Sequence, residues 1–355
     1  MIRDRVPLAP LTTLEVGGDA RHFTEATDEA AVVAALRWAA ARELPVAILG
    51  GGSNVVVADA GFDGLVIRVA PRGLRFDAAP DGTVTLTAAA GEPWDALVAQ
   101  TVARRLGGLE CLSGIPGLAG ATPIQNVGAY GQEVADTIRS VRVLDRATLQ
   151  VRELPAADCG FGYRDSRFKR EPQAFVVLAV TFALRPGAPP ALRYPELAAA
   201  LAGATAPTLA DARAAVLALR GRKSMVIRAD DPNRRSAGSF FTNPVVQASV
   251  ADEVARRAGA AGAAMPRFAA GPGRVKLSAG WLIEQAGFPR GLRRGPVGIS
   301  TAHALALVNL GGARAAELLA LAADIVAGVH DRLGITLAPE PVLLGGAWPA
   351  SASQS

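Results

Sequence analysis

The sequence predicts an α+β protein whose helices and strands are mixed along the chain. Short apolar runs bounded by turn residues are typical of strands, and alanine-rich stretches with capping residues are typical of helices. Both kinds of segment recur along the whole chain, without an internal repeat. With 355 residues, 50% of them hydrophobic, the chain is long enough for two or three domains.

The first half of the chain predicts two helices among several strands. One helix is expected at residues 28–43, because Thr27 or Asp28 can cap its start and Pro45 follows its end. The other is "PWDALVAQTVARRLGG", which opens with proline and closes with two glycines. Strands are predicted at the two apolar runs of "PVAILGGGSNVVVAD" and at "GLVIRV", "TVTLTAAA", "SVRVLD", "LQVREL" and "AFVVLAVTFAL".

The second half begins with a proline-rich segment, "RPGAPPALRYP" (185–195), which predicts a linker or surface loop. Helices are predicted near 196–202 and 208–220 and at "ASVADEVARRAG", "GWLIEQAG" and "GARAAELLALAADIVAGVHDRLG". Strands are predicted at "ALALVN" and "PVLLGG". Helices and strands therefore mix here as well.

The chain carries a mild basic excess. Its formal net charge is +5 and its sequence pI is about 9.7, which suits nucleic acid or anionic small molecules such as diphosphates. A nucleic-acid binder should show aromatic residues interleaved with basic ones. Aromatic residues make up only 5% of the chain and form no such stripe, so we expect no nucleic-acid partner.

Cysteine and histidine usage predicts neither a disulfide framework nor a metal site. The two cysteines, Cys111 and Cys159, lie in no C-x-x-C pattern, and we expect two free buried thiols in a reducing compartment. The histidines His22, His303 and His330 are too far apart in sequence to show metal-ligand spacing. No signal peptide or membrane-spanning segment is visible. We therefore expect a cytoplasmic protein.

Two glycine-rich stretches are candidates for phosphate binding. The first glycine loop (residues 50–54) lies in "LGGGSNVVV", where glycine backbone groups could approach a phosphate closely. Taken alone, this loop is better explained as a tight turn between strands, because glycine is the usual turn residue. The second glycine loop (residues 113–130) lies in "CLSGIPGLAGATPIQNVGAYG", which holds five glycines and two prolines in 21 residues. Two such loops on a strand-rich scaffold suggest a dinucleotide extended across two lobes.

Six motifs occur in order along the chain: "GGGSNVVV", "SGIPGLAGATPIQNVGAYG", "GFGYRDSRFK", "SAGSFFTNP", "KLSAGWLIEQAG" and "APEPVLLG". Together they closely resemble the UDP-N-acetylenolpyruvoylglucosamine reductase family, flavoenzymes of bacterial cell-wall precursor synthesis. The first two motifs are shared with the wider vanillyl-alcohol-oxidase type of FAD-binding domain, and the later ones are particular to the reductases. The resemblance covers residues 10 to 347.

The resemblance implies a two-lobed FAD-binding domain of the vanillyl-alcohol-oxidase type and a separate α+β substrate domain. The parts are expected at residues 1–70 (first lobe), 71–222 (second lobe, with a linker and a substrate-covering segment near 185–203), 223–335 (substrate domain) and 336–355 (a C-terminal return segment that carries Glu340).

The resemblance also implies an NADPH-dependent oxidoreductase that uses FAD. Members of the family add two hydrogens to the enolpyruvyl double bond of UDP-N-acetylglucosamine enolpyruvate and so form UDP-N-acetylmuramate, a peptidoglycan precursor. Roles in cell-wall biogenesis, cell shape, the cell cycle and cell division follow from the same resemblance. An FAD-linked oxidase of the same superfamily is the alternative, although "SAGSFF" and "APEP" argue against it. The sequence does not encode the oligomeric state, for which a monomer is favoured.

Three residues match the family's catalytic positions. Ser239, in "RSAGSFFTNP", is implied as the proton donor to the enolpyruvyl carbon that receives no hydride. Arg164, in "GYRDSRF", suits a carboxylate that gains enolate character, because its guanidinium can bind both oxygens. Glu340, in "APEPVLLG", would share a proton beside that carboxylate. Residue type alone suggests simpler roles for all three. Ser239 would be an ordinary serine at a bend, Arg164 would form a surface ion pair with Asp165 or Glu171, and Glu340 would be solvated.

The two glycine loops are implied to hold FAD without a covalent bond. Covalent attachment in relatives uses a histidine or a cysteine, and the histidine nearest the first loop, His22, has no matching context. The residues implied to contact FAD are Gly50, Gly51, Gly52, Ser53, Asn54, Val55, Ser113, Gly114, Pro116, Gly117, Gly120, Thr122, Gln125, Asn126, Gly128, Ala129 and Tyr130.

A further set of side chains is implied to bind the UDP-sugar. Lys223 and Asn243 are expected to contact its diphosphate. Tyr194 lies either on the substrate-covering loop or on an ordinary surface, and His303 either faces substrate or packs at a strand end. The whole set is Tyr163, Tyr194, Lys223, Asn243, Lys276 and His303.

The chain departs from the family at one position near the serine. Relatives often have "SFFKNP", whereas this chain has Thr242 in place of the lysine. The proton donor is unaffected, but one positive charge is missing. Arg234 or Arg235 could replace it, and the sequence leaves that choice open.

Overall fold

The structure, a computed structural model, describes residues 1–348 and shows helices and strands in mixed order. The predicted α+β class is confirmed. The helices are α1 (Glu29–Ala40), α2 (Trp94–Ala103), α3 (Arg167–Arg170), α4 (Pro195–Ala200), α5 (Leu209–Arg222), α6 (Ala248–Arg257), α7 (Ala279–Gln285) and α8 (Ala315–Leu333). The strands are β1 (Arg3–Pro7), β2 (Asp19–Ala26), β3 (Val46–Leu49), β4 (Val55–Val57), β5 (Phe62–Val69), β6 (Leu74–Ala78), β7 (Val84–Ala89), β8 (Leu106–Gly107), β9 (Gly128–Ala129), β10 (Gln132–Glu133), β11 (Ile138–Asp145), β12 (Val151–Pro155), β13 (Phe175–Pro186), β14 (Val245–Gln247), β15 (Arg267–Ala269), β16 (Arg274–Leu277), β17 (Arg293–Arg294), β18 (Val297–Ile299), β19 (Leu307–Asn309) and β20 (Val342–Leu344).

The chain divides into two compact units, each made of separate stretches of sequence. Unit 2 contains two short N-terminal segments besides the C-terminal part of the chain. Unit 1 is Met1–Arg5, Arg21–Gly51 and Asp63–Ile227, and unit 2 is Val6–Ala20, Gly52–Phe62 and the described chain from Arg228 onward. The four functional parts expected from the sequence stay a prediction, and residues 349–355 of the last part lie outside the described residues.

Unit 1 is built around an antiparallel sheet in the order β12-β11-β13-β7-β6, with β8 also paired to β13. Strand β13 lies in the middle, with Val180 opposite Val141 of β11 and Ala88 of β7. Its apolar side chains are largely buried, as expected for a central strand. Trp94 of α2 packs against Phe182 in the core of this sheet, with ring centroids 5.8 Å apart.

A second sheet, in the order β1-β2-β5-β3, belongs mostly to unit 1, and β3 runs parallel to β5. Helix α1 supplies buried side chains to the same cluster as β5. Asp28 caps α1 by accepting a hydrogen bond of 2.7 Å from the amide of Ala31, which confirms the predicted cap. The helix ends earlier than predicted because the chain turns after Ala40 and Glu43 adopts a left-handed conformation, with φ of 52°.

Unit 2 contains three small sheets, in the orders β14-β16-β15, β17-β18-β19 and β20-β4. The last is a parallel pair, in which Val342 lies opposite Val55. The long helix α8 buries one apolar face in the core of this unit, together with Phe240 and Phe241. It ends at Gly334, whose φ of 73° suits glycine at a helix C-terminus.

The structure also bears on the cysteines, on membrane-spanning helices and on metal sites. Cys111 and Cys159 are both free and buried, as expected. Burial raises the pKa of the Cys111 thiol to about 12, so this thiol is inert. Among the described residues, no helix is long and apolar enough to cross a membrane. Within residues 1–348, no cluster of three or more His, Cys, Asp or Glu side chains could hold a metal ion.

Candidate functional site

The second glycine loop lies over the start of α2 in unit 1. The amide of Trp94 donates to the carbonyl of Gly117 at 3.0 Å, and the amide of Ala119 donates to the carbonyl of Glu92 at 2.8 Å. The indole nitrogen of Trp94 donates to the carbonyl of Leu112 at 3.1 Å. The buried start of α2 therefore fixes the path of this loop.

An ion pair holds the loop at Gly114. The amide of Gly114 donates to Oδ1 of Asp95 at 2.6 Å, and Arg213 of α5 binds both oxygens of that carboxylate, at 2.6 and 2.8 Å. Burial tends to raise the pKa of Asp95, but the hydrogen bonds from Arg213 and Gly114 outweigh it, and the pKa lies below its ordinary value. Asp95 is thus an ionised anchor between the loop, α2 and α5.

The two glycine loops approach each other closely within unit 1. A Cβ atom added to Gly51 would lie 2.8 Å from the Cα atom of Gly117, so no larger residue fits there without a shift of the backbone. Gly114 and Gly117 also have φ values of 71° and 116°, which favour glycine. Glycine is therefore required at these positions, by close packing at Gly51 and by the backbone conformation at Gly114 and Gly117.

Polar side chains of the second loop bond mainly to the protein itself. Ser113 donates to the carbonyl of Glu110 at 2.6 Å, and Thr122 donates to the carbonyl of Ala119 at 2.8 Å. The buried Asn126 donates to the carbonyl of Gly162 at 2.9 Å and to Glu133 at 2.7 Å. These three residues therefore hold the shape of the loop, and their direct contact with a cofactor stays a prediction.

Arg220 of α5 is a residue that the sequence did not single out. One of its terminal nitrogens donates to the carbonyl of Met225 at 2.6 Å. Its Nε atom is buried, has no hydrogen-bond partner among the described residues, and lies 3.5 Å from the position that a Cβ atom of Gly114 would take. A buried guanidinium with an unmet donor suits an anionic or strongly polar ligand beside the second glycine loop.

Arg164 occupies the apex of a tight turn in unit 1, in which the amides and carbonyls of Gly162 and Asp165 pair with each other. Its φ of 53° is unusual for a residue other than glycine. Its Nη2 atom donates to the carbonyl of Gly128, in the second glycine loop, at 2.6 Å. Tyr163, which is exposed, lies under the guanidinium at 5.4 Å.

The alternative interpretation of Arg164 named Asp165 and Glu171 as partners in a surface ion pair. In the structure Asp165 pairs with Arg170, and Glu171 pairs with Arg167 at 3.2 Å. Each carboxylate therefore has an arginine other than Arg164.

Lys223 and Tyr194 lie close together in unit 1. Lys223 directly follows α5 and pairs with Glu196 of α4 at 2.7 Å. Tyr194 precedes α4 and packs edge-on against Tyr130, with ring centroids 5.4 Å apart. The ammonium of Lys223 lies 5.9 Å from the Tyr130 ring, and burial raises the pKa of Tyr130 to about 12. The structure thus brings three predicted site residues together at the edge of the second loop.

Ser239 lies in unit 2, in the serine segment (residues 235–241). Gly238 has a φ of 73°, and a Cβ atom there would meet nothing within 4 Å. Phe240 and Phe241 are fully buried and pack edge-on at 5.3 Å, whereas Ser239 is only partly buried. The two phenylalanines anchor the segment in the core and leave the hydroxyl of Ser239 at its edge.

Glu340 lies beside the serine segment in the same unit. Its amide donates to the carbonyl of Phe240 at 2.9 Å, and Phe241 forms an isolated antiparallel bridge with Pro339. The carbonyl of Glu340 accepts from the Asn54 side chain at 3.3 Å. These bonds link Glu340 to Asn54 and to Phe240, the neighbour of Ser239, although the three positions are widely separated in sequence.

The remaining parts of the first glycine loop are held by an N-terminal segment of unit 2. Gly52 has a φ of 64°, and its carbonyl accepts from the amide of Thr13 at 3.1 Å. The Thr13 hydroxyl lies 3.5 Å from the carbonyl of Ser53 and 2.6 Å from that of Ser236. These bonds hold the first glycine loop between Gly52 and Val55, where β4 begins.

Gly50, at the start of the first glycine loop, has more space around it than Gly51 has. A Cβ atom added to Gly50 would lie 3.8 Å from the Cβ atom of Ala121, which is an ordinary van der Waals distance. Close packing therefore requires glycine at Gly51 but not at Gly50.

The other predicted substrate residues lie in unit 2. Asn243 accepts from the amide of Ala279 at 2.9 Å, which joins it to the start of α7. Lys276 lies on β16, with its ammonium 5.9 Å from the Phe268 ring. His303 lies in the turn before β19, where its carbonyl accepts from Ala306 at 3.1 Å. Predicted contacts between these residues and a substrate stay predictions.

The first part of the chain is similar to a family of FAD-binding domains. The model described as "FAD binding domain" matches residues 20–154. Together with the α+β fold and a second unit that carries the serine segment, this match defines the chain as an FAD-dependent oxidoreductase of two domains. The predicted FAD-binding fold is confirmed.

Curated relatives and a solved structure agree over nearly the whole chain. The model "UDP-N-acetylenolpyruvoylglucosamine reductase, C-terminal domain" matches residues 230–344. The reductase of Streptomyces coelicolor is 52% identical over 96% of this chain and 89% of its own length, and that of Saccharopolyspora erythraea is 53% identical over 95% and 94%. The crystal structure of the Thermus caldophilus reductase covers 97% of this chain and all of its own, at 28% identity and a TM-score of 0.66. The chain belongs to the UDP-N-acetylenolpyruvoylglucosamine reductase family.

Proposed function

We propose that this protein reduces the enolpyruvyl group of UDP-N-acetylglucosamine enolpyruvate to give UDP-N-acetylmuramate, with NADPH as reductant and FAD as cofactor. The family to which the chain belongs supports this reaction. The observation in the structure that carries the proposal is the pairing of the Ser239 and Glu340 segments through the hydrogen bond between Phe240 and Glu340. The segments that carry Ser239 and Glu340 thereby lie side by side in one unit.

The residues of unit 1 fit FAD. Gly51 and Gly117 approach so closely that a side chain at Gly51 would clash with the backbone of Gly117, and glycine-rich loops of this kind suit phosphate groups. Arg220 offers a buried donor with an unmet hydrogen bond at the edge of the same loop. The two glycine loops would therefore hold the cofactor, with Arg220 added to the residues expected from the sequence. When bound, FAD supplies hydride chemistry between NADPH and the substrate.

The catalytic roles are assigned to three side chains. Ser239 would give a proton to the carbon next to the one that receives hydride, so that two hydrogens are added and the serine is reprotonated from water. Arg164 would bind the substrate carboxylate with its planar fork, which stabilises the negative charge that builds there. Glu340 would share a proton with that carboxylate.

The binding roles rest on charge and position. Lys223, with its ammonium 5.9 Å from the Tyr130 ring, would bind the diphosphate of the UDP-sugar. Asn243 and Lys276 are on neighbouring strands or strand ends of unit 2 and are expected to contribute further polar contacts. Tyr163 and His303 complete the proposed set.

We infer that the protein acts in the cytoplasm, in peptidoglycan synthesis. Because the cell wall determines cell shape and is needed for division, loss of the protein should disturb both. Two free buried cysteines agree with a reducing compartment. A monomer remains the expected state.

The proposal is tested with the purified protein. Heat or acid should release free FAD, and NADPH oxidation should depend on the enolpyruvyl UDP-sugar, with a product that has gained two hydrogens by mass spectrometry. Release of no flavin, or NADPH oxidation that depends on oxygen alone, would refute the proposal, and the second result would favour the FAD-linked oxidase.

A further inference from the structure

Glu15 lies in an N-terminal segment of unit 2 and is not one of the residues proposed to bind or react with the substrate. Its φ is 53°, a conformation that is costly for a glutamate. Asn309 holds the segment by donating to the carbonyls of Leu14 at 2.9 Å and Glu15 at 3.2 Å. A strained residue persists only where its surroundings fix it, so the position of this backbone is determined by other contacts.

The Glu15 carboxylate binds two arginines at the start of the serine segment. One oxygen accepts from Arg234 at 2.7 Å, and the other makes a short bond with Nε of Arg235. Burial tends to raise the pKa of Glu15, but the hydrogen bonds from Arg235 and Arg234 outweigh it and lower the pKa, so the carboxylate is ionised at neutral pH. Thr13 adds a third bond to the same stretch, from its hydroxyl to the carbonyl of Ser236 at 2.6 Å.

The rest of the serine segment is fixed by backbone hydrogen bonds. The backbone N–H of Asn309 donates to the carbonyl of Arg235 at 3.0 Å, and the backbone N–H of Phe240 donates to the carbonyl of Leu305 at 2.7 Å. Between these two bonds the chain passes through Gly238, which has an open surrounding and a left-handed φ of 73°. The placement of Ser239 therefore depends on the anchors on either side of a flexible glycine.

We propose that Glu15 is a positioning residue for proton transfer, because its carboxylate fixes Arg234 and Arg235 and with them the start of the segment that carries Ser239. The proposal rests on the proposed function, in which Ser239 is the proton donor. The proposal also gives a role to Arg234 and Arg235, either of which could replace the positive charge of the lysine that relatives have in place of Thr242. Two guanidinium groups and one carboxylate leave a single positive charge in this cluster, the same formal charge as that lysine.

The test compares Glu15→Gln with Glu253→Gln. Glu253 of α6 also binds two arginines, Arg256 at 2.6 Å and Arg257 at 2.8 Å, but it lies on a helix outside the serine segment. In both variants a neutral amide of the same shape replaces a shared carboxylate. FAD content, the rate of flavin reduction by NADPH, and the rate of reoxidation by the enolpyruvyl UDP-sugar are measured separately for each protein.

We expect Glu15→Gln to slow reoxidation about tenfold, the order expected for a small misplacement of a reacting group. Flavin reduction by NADPH should stay at the wild-type rate, and the KM for the UDP-sugar should change by no more than about twofold, because proton transfer and not binding is affected. Glu253→Gln should match the wild type in every rate. Reoxidation by Glu15→Gln at the wild-type rate, or equal slowing of both half-reactions, would overturn the proposal.

Two further variants separate the carboxylate from the strained backbone. Glu15→Gly suits the positive φ but has no carboxylate, so it should be as slow in reoxidation as Glu15→Gln. Glu15→Asp keeps a carboxylate on a shorter stem and should recover part of the rate. A wild-type rate in Glu15→Gly would show that the carboxylate is not needed. Failure of the wild-type protein itself to be reoxidised by the UDP-sugar would instead refute the proposed function.

Discussion

The second glycine loop of unit 1 and the serine segment of unit 2 are built in different ways. In the glycine loop, the side chains of Ser113, Thr122 and Asn126 bond to the protein itself, and Gly117 packs closely against Gly51 of the first glycine loop. In the serine segment, buried phenylalanines and distant anchors hold one side chain, that of Ser239, at the edge of a core.

The difference indicates what each region does. A glycine-rich loop whose shape is fixed by internal bonds suits a cofactor bound for many turnovers, and changes there should alter how much flavin the protein holds. A segment that places one hydroxyl suits a single chemical step, and changes there should alter one rate while the flavin stays bound. The following changes test this distinction, from the largest expected effect to the smallest.

Ser239→Ala should have the largest effect, because it removes the proposed proton donor at a bend that alanine can also occupy. FAD content and reduction by NADPH should stay near wild type. Reoxidation by the enolpyruvyl UDP-sugar should slow by roughly 10²–10⁴-fold, the usual contribution of a positioned general acid, or about 3–5 kcal/mol. Stopped-flow absorbance of the flavin measures both steps.

Ser236→Ala is the matched control, since it removes a hydroxyl three residues earlier in the same segment and keeps the carbonyl that Thr13 binds. It should reoxidise normally. Equal slowing of both half-reactions in Ser239→Ala would point to a distorted site, and normal reoxidation would make Ser239 an ordinary turn residue.

Arg164→Lys should lower turnover by about 10²–10³-fold, because lysine keeps the charge but lacks the planar fork that binds a carboxylate. The flavin should remain bound and reducible by NADPH. Arg167→Lys, in the exposed pair with Glu171, is the control and should change turnover little. Steady-state kinetics with both variants decide the matter, and near-normal turnover in Arg164→Lys would leave Arg164 as a surface residue.

Gly51→Ala should weaken flavin binding about tenfold, because the added methyl group forces the backbone away from Gly117. Gly203→Ala is the control, since a Cβ atom at that position meets nothing within 4 Å. Fluorescence titration of the flavin-free proteins with FAD gives both dissociation constants. Equal affinity in the two variants would show that the contact of the glycine loops does not shape the cofactor site.

Asp95→Asn should have the smallest effect, about 1 kcal/mol or less of stability at neutral pH, because the carboxylate is partly exposed and solvent screens its pair with Arg213. The lowered pKa of Asp95 means that its contribution is present above the ordinary carboxyl range and is lost as pH falls through the folded value. Thermal unfolding at neutral and at acidic pH should therefore show the wild type and the variant converging in acid. A difference that stays constant with pH would contradict the assignment.

The sequence predicts local features well where one residue type determines them. Asp28 is recognisable as a helix cap, and the glycines of the second loop are recognisable as positions where backbone must come close. Short strands of unit 2, such as β17 with two residues, carry no periodicity and were not predicted.

Contacts between distant parts of the chain could not be predicted in the same way. Asp95 and Arg213 are 118 residues apart, and Glu15 and Arg235 are 220 apart. No pattern in the sequence marks either pair, since an acidic or basic residue in isolation is usually a solvated one. Arg220 looks like any other cation of a helix end, and only its burial beside Gly114 distinguishes it.

The central claim, that this protein passes hydride from NADPH through FAD to an enolpyruvyl UDP-sugar, is tested most directly by anaerobic stopped-flow measurement of the wild-type protein. The flavin is first bleached with one equivalent of NADPH and then mixed either with UDP-N-acetylglucosamine enolpyruvate or with oxygenated buffer. We predict that the UDP-sugar restores the yellow colour far faster than oxygen does. Recovery of the colour with oxygen at an equal or higher rate, or no recovery with the UDP-sugar, would contradict the account.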